Sequence, residues 1–316
     1  MALVGRPSVA ASPASGKRRG IKRDGHGGPP LQASNHSMST EDTIHYLLPI
    51  YRVRARNTSA DSENRIHDDS IAAGYGFRGG LVPGVTVYAY MTVPLVERFG
   101  FDWLERGSMQ VKFHQPFYDG DQVIVKAEKD SSADPIKVAI TAERGDGVAC
   151  ATALATVNDR SAWLGEPRLE NYPEVPLPLI ETRPVASRQS LVPGTVLGSL
   201  KETIKAPDQP LLESLDERLP IYFATGAVAH PYVFLSLANH ILMSNYKVGP
   251  WIHTASDLIN WRPVCNGEEI SVRGRIADCF ERKGHEFAVL DLLFTTGDNR
   301  IVQQVRHTAI YRPRPQ

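Results

Sequence analysis

The chain has 316 residues, 42% of them hydrophobic and 22% charged, and its 35 Lys and Arg balance 35 Asp and Glu. This composition excludes a disordered chain and, at this length, suggests about two domains of ordinary size. Even charge gives no footprint for nucleic acid or for a broad membrane-attracting field, and no apolar run approaches the roughly 20 residues of a membrane span.

Residues 1–43 are rich in Ser, Pro, Gly and Ala, with Arg6, Lys17, Arg18, Arg19, Lys22 and Arg23 and no acid before Asp24. They lack apolar periodicity and are expected to be a disordered basic tail. An organelle transit peptide and an over-extended start, with Met38 as the true beginning, are the alternatives. Cys150, Cys265 and Cys279 are far apart and show no CxxC spacing. They are expected to be reduced cysteines of a cytoplasmic protein, with no metal site or disulfide framework.

An N-terminal domain is expected over residues 44–160. Tyr51 to Arg56 alternates polar and apolar residues like a half-buried strand. Asn57 to Ser70 is polar and turn-rich. From Gly84, residues Val85, Val87, Tyr88, Ala89, Tyr90, Met91, Val93, Leu95 and Val96 cover nearly every side of a helix, as in a buried one. Pro94 predicts a kink or break before Phe99-Gly100. Strand-like runs follow at Met109–Phe113, Gln122–Ala127, Ile136–Ala142 and Val148–Val157. Gly120-Asp121 and Gly145-Asp146-Gly147 supply hairpin turns, giving an antiparallel meander around one helix.

Residues 161–188 are proline-rich and predict an extended linker. A second domain, 189–316, repeats the pattern. Gly194 to Leu200 resembles a first strand and Tyr232–Tyr246 a second apolar helix. Strands are predicted at Ile259–Trp261, Glu269–Arg273, Glu286–Thr295 and Ile301–Ile310. Gly84 and Pro231 differ by 147 positions, as do Pro116 and Pro263, Gly120 and Gly267, Asp121 and Glu268, and Val123 and Ile270. One shared offset argues for duplication. The expected product is a tandem pseudo-dimer with one continuous sheet and a cleft between the helices. A further homodimer stays open.

The run Asn64-Arg65-Ile66-His67, with Asp69, Ala72 and Gly76-Phe77…Leu81-Val82-Pro83-Gly84, resembles the MaoC-like dehydratase family, or hydratase 2. That resemblance implies an α+β double hot-dog fold and addition of water to trans-2-enoyl thioesters, giving (R)-3-hydroxyacyl thioesters. It implies an acyl-CoA or acyl-carrier thioester as partner and no other cofactor. In the family one domain is catalytic and the other degenerate. Here the C-terminal one would be degenerate, with Asp216-Glu217-Arg218-Leu219-Pro220 where the motif should recur. His67 would be the general base, Asn64 would orient its loop, and the Gly84 N–H would hold the carbonyl oxygen. Ser62, Asp69 and Phe77 are candidate substrate contacts. Tyr88, Met91, Val233, Phe234 and Leu237 are candidate walls of an acyl tunnel.

Ser62 stands where the family has its catalytic aspartate, and a serine hydroxyl has no pKa near 7. Two alternatives follow. A thioesterase would need Asp61, Glu63 or Asp69 to activate water. A non-catalytic acyl-thioester-binding subunit would need no acid. The blander readings are a solvated Arg78 in place of a phosphate contact, a structural His230, and a His114 that lies on a strand near the cleft.

Overall fold

The computed structural model describes residues 45–130, 132–157 and 167–314. The basic-tail reading and part of the linker lie outside them. The first half carries β1 (His45–Leu47), β2 (Tyr51–Arg54), α1 (Asp69–Ala73), α2 (Gly84–Phe99) and α3 (Phe101–Arg106). β3 (Ser108–Phe113), β4 (Gln122–Asp130), β5 (Ile136–Arg144) and β6 (Ala149–Val157) follow. The second half carries β7 (Val196–Thr203), α4 (Gln209–Ser214), α5 (Tyr232–Asn245), β8 (Ile252–Asn260), β9 (Glu269–Arg282), β10 (His285–Thr296) and β11 (Ile301–Arg312).

All strands join one antiparallel sheet in the order β1-β4-β5-β6-β3-β8-β11-β10-β9-β7, with β2 also pairing β4. The join is β3 against β8, where Gln110 faces Asp257. Those positions are themselves 147 apart, so the repeat offset and the register of the central pair agree. α2 packs on β2, β4, β5 and β8, α5 packs on β7, β9 and β11, and the two helices touch. This is the double hot-dog fold. Every residue from Val85 to Val96 is buried, which is why α2 has no polar face.

Three expectations need correction. α2 runs through Pro94 to Phe99 without a break. The helix loses one backbone hydrogen bond there, and apolar packing on every side holds it. Gly120-Asp121 is a tight turn but not a hairpin turn, because β3 is flanked by β6 and β8 and leaves no edge for β4. β8 begins at Ile252 rather than Ile259, and β9 runs to Arg282 rather than Arg273.

The repeat holds at the level of single hydrogen bonds. Gly120 and Gly267 both have φ of +79°. The Tyr118 N–H donates to the Asp121 carboxylate at 2.9 Å, and the Cys265 N–H to Glu268 at 2.6 Å. Val82 N–H reaches Phe117 O at 2.9 Å, and Ala229 N–H reaches Val264 O at 2.8 Å. Leu81 N–H donates to Ile66 O at 3.3 Å, and Val228 N–H to Ile221 O at 3.4 Å. The last pair sets Arg65–His67 against Pro220–Tyr222, two short 3-10 turns. The place of His67 is therefore taken by Tyr222. The counterpart of the motif lies slightly after the Asp216–Pro220 stretch that sequence spacing indicated.

Candidate active site

His67 ends its 3-10 turn, and three contacts hold it. Its Nδ1 lies 2.6 Å from the Leu81 carbonyl oxygen, so Nδ1 carries the proton and donates. Its own carbonyl accepts from Asn57 Nδ2 at 2.8 Å. Gly80 packs on that carbonyl so closely that a Cβ there would stand 2.0 Å from the oxygen. The glycine before Leu81 thus lets the chain double back over His67. Burial lowers the His67 pKa against the opposing pull of the Leu81 carbonyl, so the ring is neutral at pH 7.

Asn64 uses all of its hydrogen-bonding groups. Its Oδ1 accepts from Trp251 N–H at 3.1 Å and from Ile66 N–H at 3.4 Å. Its Nδ2 donates to Trp251 O at 3.0 Å and to His67 Nε2 at 3.3 Å. Asn64 therefore clamps the motif loop of the first half to the start of β8 in the second. The contact to Nε2 is longer than an ordinary hydrogen bond of roughly 2.7–3.2 Å, and it leaves the Nε2 lone pair weakly held.

His67 and Asn64 line a cavity of about 240 Å³ with Phe77, Val82, Pro83, Gly84, Val87, Phe113, Asn239, Trp251, Ile252 and His253 among its walls. α2 opens into it at Gly84. No side chain caps that helix; the Thr86 and Val87 N–H groups bond the Pro83 carbonyl at 2.9 and 3.1 Å, and those of Gly84 and Val85 have no partner among the described residues. No Asp or Glu is among the described lining residues; its titratable groups are His67, His114, His253 and His285. His114 is exposed and bonds Thr152 Oγ1 at 2.7 Å, while His285 Nδ1 accepts from Arg314 N–H at 3.0 Å.

The structure thus brings together His67, Asn64, Gly84 and Phe77. It does not bring in the other candidates. The Ser62 hydroxyl donates to Asn64 O at 3.3 Å and lines no part of the cavity. The Asp69 carboxylate accepts the Gly80 N–H at 2.7 Å and so braces the loop over His67. Tyr88 and Met91 are fully buried in the core and do not line the cavity. Val233, Phe234 and Leu237 are absent from its walls too, because α5 offers Asn239 instead. Asp61 and Glu63 do not line the cavity: Asp61 borders a second cleft shared with Asp69 and His67, and Glu63 a third shared with Asn64 and Trp251. Arg78 pairs with Asp121 and lies over the Tyr118 ring, 4.2 Å from its centroid.

Sequence reasoning missed His253, which lies against Gly84: a Cβ on Gly84 would sit 3.0 Å from His253 Nδ1. Its signal was masked by a bulge. Between His253 and Ala255 the β8–β11 register shifts by one residue, leaving Thr254 extra. Strict alternation therefore fails at this point. Among the described residues no group of three or more His, Cys, Asp or Glu is arranged to hold a metal ion, and no helix is long and apolar enough to cross a membrane.

Comparison with solved structures places the fold. A conserved hypothetical protein of Mycobacterium tuberculosis, described as having a double hotdog fold, superposes with a TM-score of 0.59 at 13% identity, covering 83% of this chain and 96% of that one. A MaoC domain dehydratase of Chloroflexus aurantiacus gives 0.58 at 11% identity, covering 87% and 96%. A protein described as a MaoC-like dehydratase gives 0.52 at 13% identity, covering 85% and 97%. No family profile and no curated protein matches the chain by sequence.

Proposed function

We propose that the chain is an acyl-thioester hydratase or dehydratase of MaoC type, adding water to a trans-2-enoyl thioester to give the (R)-3-hydroxyacyl product. The observation that carries this is the meeting of two groups in one apolar cavity. These are a neutral histidine, His67, and the unpaired N–H at the start of α2, Gly84. The names of the structures of like fold support the reading, although fold alone does not define a reaction.

With Nδ1 tied to Leu81, His67 offers Nε2 to water. Nε2 takes a proton as the water oxygen bonds to C3, and the C2–C3 π electrons move to the thioester oxygen beside Gly84. The same proton is then returned from Nε2 to C2 as the enolate collapses. His67 ends neutral, as it began. The net addition is H and OH, and it calls for no metal or redox cofactor. The two halves are read as a pseudo-dimer in which only the first supplies a base.

A second reading is a non-catalytic acyl-thioester-binding subunit. It is favoured by the lack of any carboxylate among the described cavity walls. The thioesterase reading loses ground on the same observation, since Asp61, Glu63 and Asp69 all lie off the cavity.

The test is loss of enoyl-thioester absorbance with crotonyl-CoA and a longer 2-enoyl-CoA. Turnover that falls by about 10²–10⁴ in His67→Ala, the usual loss of a general base, supports the hydratase. Binding without turnover in both proteins supports the second reading, and release of free CoA would point to hydrolysis.

A further inference from the structure

The bulge at Thr254 turns His253 onto the same face of β8 as Ser256. There His253 Nε2 lies 2.8 Å from Ser256 Oγ, and Ser256 Oγ lies 2.9 Å from His307 Nδ1 on β11. The two imidazole centroids are 4.2 Å apart with their planes tilted by 31°, and Phe113 of β3 packs edge-on against His253 at 4.7 Å. His253 is only 6% exposed; its ring feels the Ala255 backbone, but its Nδ1 has no partner within hydrogen-bond geometry among the described residues. A buried polar atom without a partner costs about 1–3 kcal/mol. The residue lines the cavity, and its Nδ1 is packed against Gly84 at the uncapped start of α2.

We propose that His253 completes an oxyanion site: its Nδ1–H and the Gly84 N–H together hold the thioester carbonyl oxygen. The second half, which has no histidine in its own motif position, thus supplies the second donor to the site of the first. The proposal rests on the acyl-thioester reading above.

The Ser256 bridge allows two proton arrangements, and the oxyanion role takes the one that leaves a proton on His253 Nδ1. Ser256 has one hydroxyl hydrogen. When it donates to His253 Nε2, it accepts from His307 Nδ1–H, and the single proton of neutral His253 stands on Nδ1. Burial, with His307 nearby, holds His253 well below the ordinary histidine pKa, and burial drops His307 to about 3. Both rings are therefore neutral at pH 7. A neutral imidazole N–H is a suitable partner for a developing enolate oxygen, because it polarises the carbonyl without being consumed as an acid. Ser256 and His307 act as positioning residues through His253.

The test compares the natural protein with His253→Leu, His253→Gln and Ser256→Ala. Each is assayed for crotonyl-CoA hydration and for the infrared carbonyl band of bound [1-13C]butyryl-CoA, which cannot be hydrated. The expected result is a fall of about 10²–10³ in kcat for His253→Leu with KM changed little, the size of losing one oxyanion donor. His253→Gln, which keeps an N–H donor, recovers part of the loss, and Ser256→Ala loses less than His253→Leu. The bound carbonyl band lies below its free frequency in the natural protein and moves back toward it in His253→Leu. If crotonyl-CoA is not turned over but the band still depends on His253, the hydration reading fails and the carbonyl site stands. A band unmoved by binding, or a His253→Leu protein with a natural band and a natural kcat, overturns the proposal. Should His253→Leu fail to fold, the band in Ser256→Ala decides, and a natural band there overturns it as well.

Discussion

At the start of α2 the chain has Pro83-Gly84, no side chain caps the helix, and a cavity of about 240 Å³ lies in front of it. At the start of α5 it has His230-Pro231. There His230 Nδ1 accepts the Tyr232 N–H at 3.1 Å, and its Nε2 lies 3.1 Å from Glu217. The void bordering Pro231 is only about 10 Å³, room for one water at most. Behind it, Tyr222 fills the position of His67 and is fully buried. The two halves share a backbone hydrogen-bond scaffold but end it differently. One leaves its helix start open to a ligand, and the other closes it with its own side chains. An open helix terminus costs stability, because the Gly84 and Val85 N–H groups have no partner among the described residues, and that cost is retained in the half that carries His67.

The sharpest way to break this comparison is to remove each half's central ring in turn. His67→Ala is expected to cut turnover by about 10²–10⁴ with little change in the urea unfolding midpoint. Tyr222→Ala is expected to do the reverse, destabilising by about 3–5 kcal/mol, as loss of a buried aromatic does. Equal activity losses in the two variants would mean that the halves do not divide the work as described. Next, Gly84→Ala places a Cβ 3.0 Å from His253 Nδ1, so the ring or the helix start must shift. A displacement of that kind in an active site costs about 10²-fold in rate, readable in the same absorbance assay. Pro231→Gly, the matching change in the second half, should leave the rate unaltered.

Glu217 sharpens the comparison through stability. Burial alone would raise its pKa, but the His230 hydrogen bond and the N–H groups of Leu219 and Arg218 hold it below the ordinary glutamate value. Glu217→Ala leaves His230 without its partner and is expected to cost about 3–5 kcal/mol in chemical unfolding at pH 7. The activity of the molecules that remain folded should change far less.

Much of this was legible in the chain itself, for identifiable reasons. α2 announces itself because a helix apolar on all sides has few alternatives, and the repeat shows because Gly120 and Gly267 must both adopt positive φ. His67 stands out because the runs Asn64 to His67 and Gly76 to Gly84 resemble the MaoC-like motif. Other features were hidden by physics that a linear pattern does not carry. An all-apolar helix does not reveal which face meets a cavity, so the sequence pattern cannot show that Tyr88 and Met91 face away from it. A longer loop moves the counterpart of His67 to Tyr222, 155 rather than 147 positions on. His253 is hidden by the Thr254 bulge, which defeats the alternation on which strand reading depends.

The smallest effect expected is a slope, and it separates the same two regions. His253 and His307 have folded pKa values depressed below the unfolded value of about 6.5. The unfolded chain therefore binds more protons than the folded one as the pH falls below that value. Their share of stability is complete above about 6.5 and is lost progressively below it, down to about 3 for His307. Each contributes about 1.4 kcal/mol per pH unit within that window. His67, with its more modest depression, adds to the upper part. Glu217 behaves differently. Its contribution is present above the usual glutamate value of 4.5 and is lost only as the pH falls through its lower folded value. Unfolding free energies measured between pH 7 and 5 should thus fall with a slope set by histidines, chiefly those around the cavity. His307→Gln should flatten it by one histidine's share, while Glu217→Gln should alter it mainly below pH 4.5. A His307→Gln slope identical to the natural one would mean that His307 takes up its proton equally in the folded and unfolded chain, and the buried neutral relay behind His253 would have to be abandoned.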